Sequence, residues 1–390
     1  MSDATLSAGR LVLQRAGTGT RLFFLANGFA IACWAPLVPF AKARLGSGDG
    51  ELGLLLACIG LGSIAAMAIS GIYSARYGPH RVMLASGFGL IVLLPPLAFA
   101  SSSPGLGAAL FLFGAALGSL DVAMNMHGVE VERQARQPLM SGFHAQFSIG
   151  GVVGAALMTL LLWLGVGPLA CTLVDAGLIG VLLALAAPRI LRQAEASPGP
   201  IFALPHGFVL ILALLAAAMF LAEGAVLDWS AVLLVGQHLA PATRGGIGFA
   251  FFSVAMTLGR LGGDRLVAAL GDRTTMVGGA TLAMLGFIMV LLAPALVVAL
   301  TGFALVGLGA ANIVPILFRL GGTQRFMPAG LAIAAISTTG YAGGLAGPAA
   351  MGLFAHWFDL AHAFWLLAGL MALVAVAGRR VTGLILRDGA

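Results

Sequence analysis

The segment Asp121-Val122-Ala123-Met124-Asn125 sets a carboxyl and an amide four residues apart inside a long apolar stretch. On a helix that spacing puts both groups on one face, where together they can bind a hydroxylated or charged solute, and the carboxyl can take up a proton. Glu223 stands in a similar apolar setting and is followed by Gly224, where a helix can loosen and open its backbone to a ligand. Asp228 lies five residues further on, about 140° round a regular helix from Glu223, so the two acids cannot share a face; Asp228 is placed at a pore mouth or beside Arg244. An ionised side chain near the middle of a bilayer costs about 2.5–3.5 kcal/mol even on lenient scales. Each such group therefore needs a partner or a wet cavity. Trp34 and Trp229 read as ring platforms for a solute or as interfacial anchors, while His144, Gln146, Thr338, Thr339 and Tyr341 follow charged or Gly/Pro-rich breaks and can line one end of a cavity. Glu130, Glu132, Arg133 and Arg136 form a mixed-charge helix end, suited to a solvated loop or a gate.

Other chemistries lack their residues. Cys33, Cys58 and Cys171 are odd in number, lie in apolar runs and lack metal-ligand spacing, so they read as small buried hydrophobes and no metal is expected. Gly343-Gly344 and Gly347-Pro348 carry no following Lys-Ser or Lys-Thr, which excludes a phosphate loop. No convergent nucleophile and base appears, so the sequence does not read as an enzyme, and no cofactor is implied.

The elements that must position these groups follow from composition. Of 390 residues, 60% are hydrophobic and 9% charged, where soluble domains carry roughly 25% charged residues. This composition defines a membrane protein. Long Gly/Ala-rich apolar blocks, rather than ten-residue alternations, specify helices and not a barrel. The polar start up to Thr20 leads into a full-length span and not into a cleavable leader. Apolar runs predict twelve spans near 21–41, 52–74, 82–100, 105–128, 141–164, 168–188, 207–235, 246–268, 275–293, 296–318, 328–354 and 360–378.

Twelve spans leave both termini on one side. With that side cytoplasmic, the inner segments hold Arg10, Arg15, Arg21, Arg76, Arg81, Arg133, Arg136, Arg189, Arg192, Arg260, Arg265, Arg273, Arg319, Arg325, Arg379, Arg380 and Arg387, and the outer loops only Lys42, Arg44 and Arg244. This is the asymmetry the positive-inside rule demands. The net charge of +6 is spread over short loops, which argues against a nucleic-acid surface.

The stretch 193–205, with Ser197-Pro198-Gly199-Pro200, divides the chain into bundles 1–192 and 206–390. The halves repeat. Phe24-Leu25-Ala26-Asn27-Gly28 returns as Phe220-Leu221-Ala222-Glu223-Gly224, Gly118-Ser119-Leu120-Asp121 as Gly309-Ala310-Ala311-Asn312, and Gly150-Gly151-Val152-Val153-Gly154 as Gly343-Gly344-Leu345-Ala346-Gly347. Asn27 thus answers to Glu223 and Asn312 to Asp121, which puts polar groups on spans 1, 4, 7 and 10.

With these features the chain resembles the major facilitator superfamily. The family's loop between spans 2 and 3, Gly-x-x-x-Asp-Arg-x-Gly-x-Arg, is matched by Gly71-Ile72-Tyr73-Ser74-Ala75-Arg76-Tyr77-Gly78-Pro79-His80-Arg81, with Ala75 in place of the acid; a looser second copy, Gly259-Arg260-Leu261-Gly262-Gly263-Asp264-Arg265, supplies one. Asp121 with Asn125 in span 4, and Glu223 in span 7, resemble the fucose-permease-like branch of bacterial permeases, although span 1 has no acid between Phe29 and Pro36. Span 5 lacks the Gly-Pro pair usual in drug antiporters.

The resemblance implies an all-α membrane protein of two pseudo-symmetric six-helix bundles, working by alternating access. It implies a secondary transporter of the bacterial inner membrane, monomeric, taking a small polar solute such as a sugar or sugar derivative with protons as partner. Asn27, Trp34, Asn125, Gln146, Glu223, Asn312, Thr339 and Tyr341 would meet the substrate. Asp121 and Glu223 would handle the proton, and Arg76, Arg81, Arg260, Asp264 and Arg265 would gate. Export of an amphipathic metabolite or drug is the alternative use of the same fold. A non-transporting sensor would add a signalling loop or tail, and the stretch after Arg379 is short.

Overall fold

A computed structural model of the chain describes residues 3–46, 49–192, 204–240 and 247–388. The expected linker, but for its last two residues, and Arg244 lie outside the described residues, as do the side chains of Arg10, Lys42 and Arg387. The described residues form thirteen α-helices and one short 3-10 turn. Eleven helical stretches are long and apolar enough to cross a bilayer. One of them, Ile247–Leu291, has 45 residues, roughly 67 Å at 1.5 Å each and twice the hydrocarbon thickness. Gly271, at φ 76° and ψ 164°, breaks it, so it supplies spans 8 and 9 and the total is the expected twelve.

Spans 1 to 7 are the helices Asp3–Trp34, Asp49–Tyr77, Pro79–Phe99, Ser103–Ala135, Met140–Trp163, Pro168–Ala186 and Gly207–Gly236. Spans 11 and 12 are Ala329–Trp357 and Leu360–Asp388. Their boundaries follow local chemistry. Pro79 and Pro168 open spans 3 and 6 at the first helical position, where a missing N–H costs nothing. Ser102 caps span 4 by accepting from the Gly105 N–H. Arg44 closes the far end of span 3, donating to the carbonyls of Leu97, Ala98 and Ala100 at 2.9, 2.6 and 2.8 Å. This cation, one of the few expected away from the arginine-rich end, satisfies orphan helix carbonyls.

Span 10 is discontinuous: Leu296–Ala310 and Ile313–Thr323 meet at Ala311-Asn312. Pro315 explains the break. In a continuous helix its N–H would bond the Ala311 carbonyl; proline has none, and its ring crowds that same oxygen.

The chain divides into two compact bodies. One comprises Met1–Gln137, Gln146–Leu204 and Met327–Thr338; the other comprises Pro138–Ala145, Pro205–Phe326 and Thr339–Ala390. The first turns of span 5 thus belong with the second body, and those of span 11 with the first.

The sequence repeat reappears in packing. In the first body a Cβ on Gly28 would lie 2.0 Å from the Phe147 carbonyl oxygen, and one on Gly150 2.2 Å from that of Leu25. Spans 1 and 5 therefore touch backbone to backbone, as small residues allow in membranes. In the second body Gly343, the repeat mate of Gly150, approaches Ala217 of span 7 in the same way, at 2.5 Å from its oxygen. Gly78 and Gly271 turn spans 2 to 3 and 8 to 9 with the same left-handed φ, 85° and 76°, at an offset within the range of the other repeat pairs.

Two expectations change. Span 8, expected over 246–268, runs as helix to residue 270, so Asp264 and Arg265, matched to the loop between spans 2 and 3, sit in the last turns of a helix. Arg260, counted with the loop cations, is buried within that helix.

Candidate functional site

In the first body, span 4 carries Asp121, 8% exposed, and Asn125, fully buried. As their spacing requires, they share a face: Asn125 Nδ2 donates to the Asp121 carbonyl at 2.9 Å and to Oδ1 at 3.4 Å. A third group joins them that the sequence reading missed. Ser337 of span 11 donates its hydroxyl to Asp121 Oδ2 at 3.2 Å. Among the described residues the hydrogen-bond partners of Asp121, Asn125 and Ser337, are uncharged.

Asn27 and Trp34 of span 1 are buried, and Asn27 Oδ1 and Trp34 Nε1 have no hydrogen-bond partner among the described residues. Gln146 is half-buried. Arg76 and Arg81 are exposed at the ends of spans 2 and 3. Asp175 of span 6 is a second missed group: it is fully buried beside the Cys33 thiol. Its signal was available, as the one acid in the apolar run 168–186.

The second body holds an ion pair. Arg260 Nη2 of span 8 lies 3.7 Å from Glu223 Oε1 of span 7, with side-chain exposures of 8% and 21%. The guanidinium also donates from Nε to the Ala311 carbonyl at 3.4 Å. That is the oxygen Pro315 leaves without a helical donor, so the break in span 10 and the buried arginine answer one another. Asn312 returns the contact, Nδ2 donating to the Gly259 carbonyl at 3.3 Å. A Cβ on Gly263 would fall 1.8 Å from Asn312 Oδ1, so only glycine admits this approach. His144 stacks on Phe318 at 5.7 Å between ring centres and lies within electrostatic reach of Arg260.

Thr339 and Tyr341 are partly exposed, and Tyr341 meets Phe220 edge to face at 5.8 Å. The Trp229 indole packs against Gly352 with its N–H covered, unlike an interfacial anchor, whose N–H faces headgroups. Asp264 accepts from the N–H groups of Ser141 and Gly142, at 3.0 and 2.9 Å, in the first turn of span 5; Arg265 is exposed. Asp272, just after Gly271, pairs with Arg319 of span 10. Among the described residues no cluster of three His, Cys, Asp or Glu side chains could hold a metal.

Twelve apolar helices in two repeats, with a few ionisable groups held inside the spans, define a multi-pass membrane transporter. The chain belongs to the major facilitator superfamily, whose sequence profile matches residues 22–324. An uncharacterised MFS-type transporter of Yersinia pestis is 46% identical over 364 residues, covering 93% of this chain and 95% of the relative. Among solved structures, the Escherichia coli fucose:proton symporter FucP aligns with a TM-score of 0.76 at 15% identity, over 95% of this chain and 98% of its own. The human organic anion transporter MFSD10 aligns as closely, TM-score 0.76 at 16% identity, over 94% and 99%. Those two likenesses establish the fold.

Proposed function

We propose that this transporter moves a small polar solute, a sugar or sugar derivative, together with a proton, by alternating access in a bacterial inner membrane with both termini cytoplasmic. The observation that carries the reading is the neutral partnership of Asp121. A hydroxyl can donate to a carboxylate and accept from a carboxylic acid, whereas an amide N–H₂ only donates. Asp121 can therefore gain a proton on Oδ2 and keep both contacts: Ser337 reverses its role and Asn125 stays on Oδ1. Such a group can alternate between charged and protonated forms without disturbing its surroundings. Glu223 lies 3.7 Å from Arg260, so the second body supplies a carboxyl–guanidinium pair that can orient the solute, with Asn27, Asn125 and Asn312 as further polar contacts. Likeness to a fucose:proton symporter supports the choice of cargo and coupling ion.

Uptake into proteoliposomes, with and without an imposed pH gradient, tests this after a thermal-shift screen of sugars and small organic acids has named a ligand. Accumulation that follows the gradient and is lost in Asp121→Asn supports the reading; gradient-driven uptake that survives Asp121→Asn overturns the coupling role.

The buried Arg260 favours a second reading, an anionic solute whose carboxylate replaces Glu223 on the guanidinium, in keeping with the likeness to an organic anion transporter. Competition among neutral and acidic sugars in the same assay separates the two.

A further inference from the structure

An exposed groove of about 580 Å³ lies between spans 2, 3 and 4 of the first body, within the range of small-molecule sites, about 300–1,000 Å³. Its walls are mostly apolar, with Ile69, Val82, Ala85, Gly89, Ala115 and Ala116, and three small serines, Ser70, Ser86 and Ser119, complete them. Short side chains on three neighbouring helices leave the trough that a Leu or Phe at any of them would fill.

One end of the groove is different in kind. Tyr73, Tyr77 and Arg81 line it. The two tyrosines are exposed, with ring centres 5.6 Å apart, and the Arg76 guanidinium lies over the Tyr77 ring at 5.5 Å. Exposed tyrosines at a helix end mark the level where hydrocarbon meets headgroups. Arg81 and Arg192 both act electrostatically on His80, so three arginines gather at this level.

The sequence around Arg76 and Arg81 offers no carboxylate to neutralise them. Ala75 stands where the family loop has its acid, and no carboxylate occurs between Glu51 and Asp121. Glu130, at the same end of span 4, is taken up by Arg133 at 2.9 and 2.8 Å. A basic rim above an apolar trough between transmembrane helices complements an anionic headgroup above an acyl chain.

We propose that this groove binds an anionic phospholipid, one acyl chain lying between spans 2, 3 and 4 and the phosphate held by Arg81 with Arg76 and Arg192 around it. The acid missing from the loop is then supplied by the bilayer.

Full-length protein, purified in detergent, is titrated with phosphatidylglycerol, with phosphatidylcholine and with glycerol phosphate, and lipid retention is read by native mass spectrometry beside the thermal shift. Phosphatidylglycerol should be retained on the order of tenfold more tightly than phosphatidylcholine, whose choline cation offsets the phosphate charge that the arginines would otherwise meet. Glycerol phosphate, lacking a chain, should leave the melting temperature unchanged. Arg81→Gln should erase most of the preference for the anionic lipid, and Ala85→Phe, which fills the trough at an exposed position, should lower retention of both lipids. Equal retention of the two lipids by the unmodified protein, a shift from glycerol phosphate matching that from the lipid, or undiminished retention in Ala85→Phe would each overturn the proposal.

Discussion

Ser337 and Asp121 stand 216 positions apart in sequence and 3.2 Å apart in space, a bond between a helix of the second repeat and one of the first. Asp121→Asn keeps a group that Ser337 can bond but removes the one that can exchange a proton. Gradient-driven accumulation should then disappear while exchange of labelled for unlabelled solute persists, since exchange needs no net proton movement. Parallel counterflow and uptake assays on the same vesicles check this; loss of both would mean that Asp121 serves the solute and not the proton.

Glu223 and Arg260 make each other tolerable inside the second body. Removing one partner of a buried ion pair strands the other, at a cost of about 3–5 kcal/mol. Glu223→Gln or Arg260→Gln alone should lower the unfolding temperature in detergent sharply, and the double variant should recover part of the loss. If the double change costs as much as the two single changes added together, the pair is not coupled as the 3.7 Å separation implies.

What the sequence revealed, and what it withheld, follow from the range of the forces involved. Spans and their turns are local matters of apolar length, Pro and Gly, and twelve runs read from hydropathy became twelve spans. Asp121 with Asn125 was legible because one helix carries both. Ser337 was not, because nothing local distinguishes a serine that faces a carboxyl on another helix from one that faces its own backbone. Arg260 was misplaced for a related reason: an arginine near a predicted helix end looks like a loop cation until Glu223, on a different span, is seen to neutralise it. The span 10 break was readable in principle, since Pro315 lies inside the run 296–318 and four residues after Ala311.

Pro315→Ala restores an N–H and removes the ring that crowds Ala311. The two pieces of span 10 should join, and the Ala311 carbonyl should turn from Arg260 to its new helical donor. Removing a helix-interior proline stabilises by up to about 3 kcal/mol, so the variant should melt higher and transport more slowly, having lost one contact that places Arg260. Melting temperature and uptake rate measured together test this; faster transport would show the break to be a flaw and not a functional device.

The two repeats close their arginine-rich ends by different means. In the second body the Asp264 carboxylate caps the start of span 5, contributing about 0.5–2 kcal/mol as a helix cap and more as an anion at the positive helix end. In the first body Ala75 occupies the corresponding place: a Cβ on Gly330, in the first turn of span 11, would lie 3.1 Å from its methyl group. Asp264→Ala should therefore loosen span 5, and labelling of Ser141→Cys, fully buried in the parent, by a maleimide should speed up. Gly142→Ala should do the same through a different atom, because its Cβ would fall 2.5 Å from Asp264 Oδ2. Ala75→Asp, which offers the first turn of span 11 the carboxylate that span 5 already has, should slow labelling of Ala332→Cys, fully buried in the parent, without altering that of Ser141→Cys. A uniform response of both cysteines to all three changes would mean that the two ends are not latched separately.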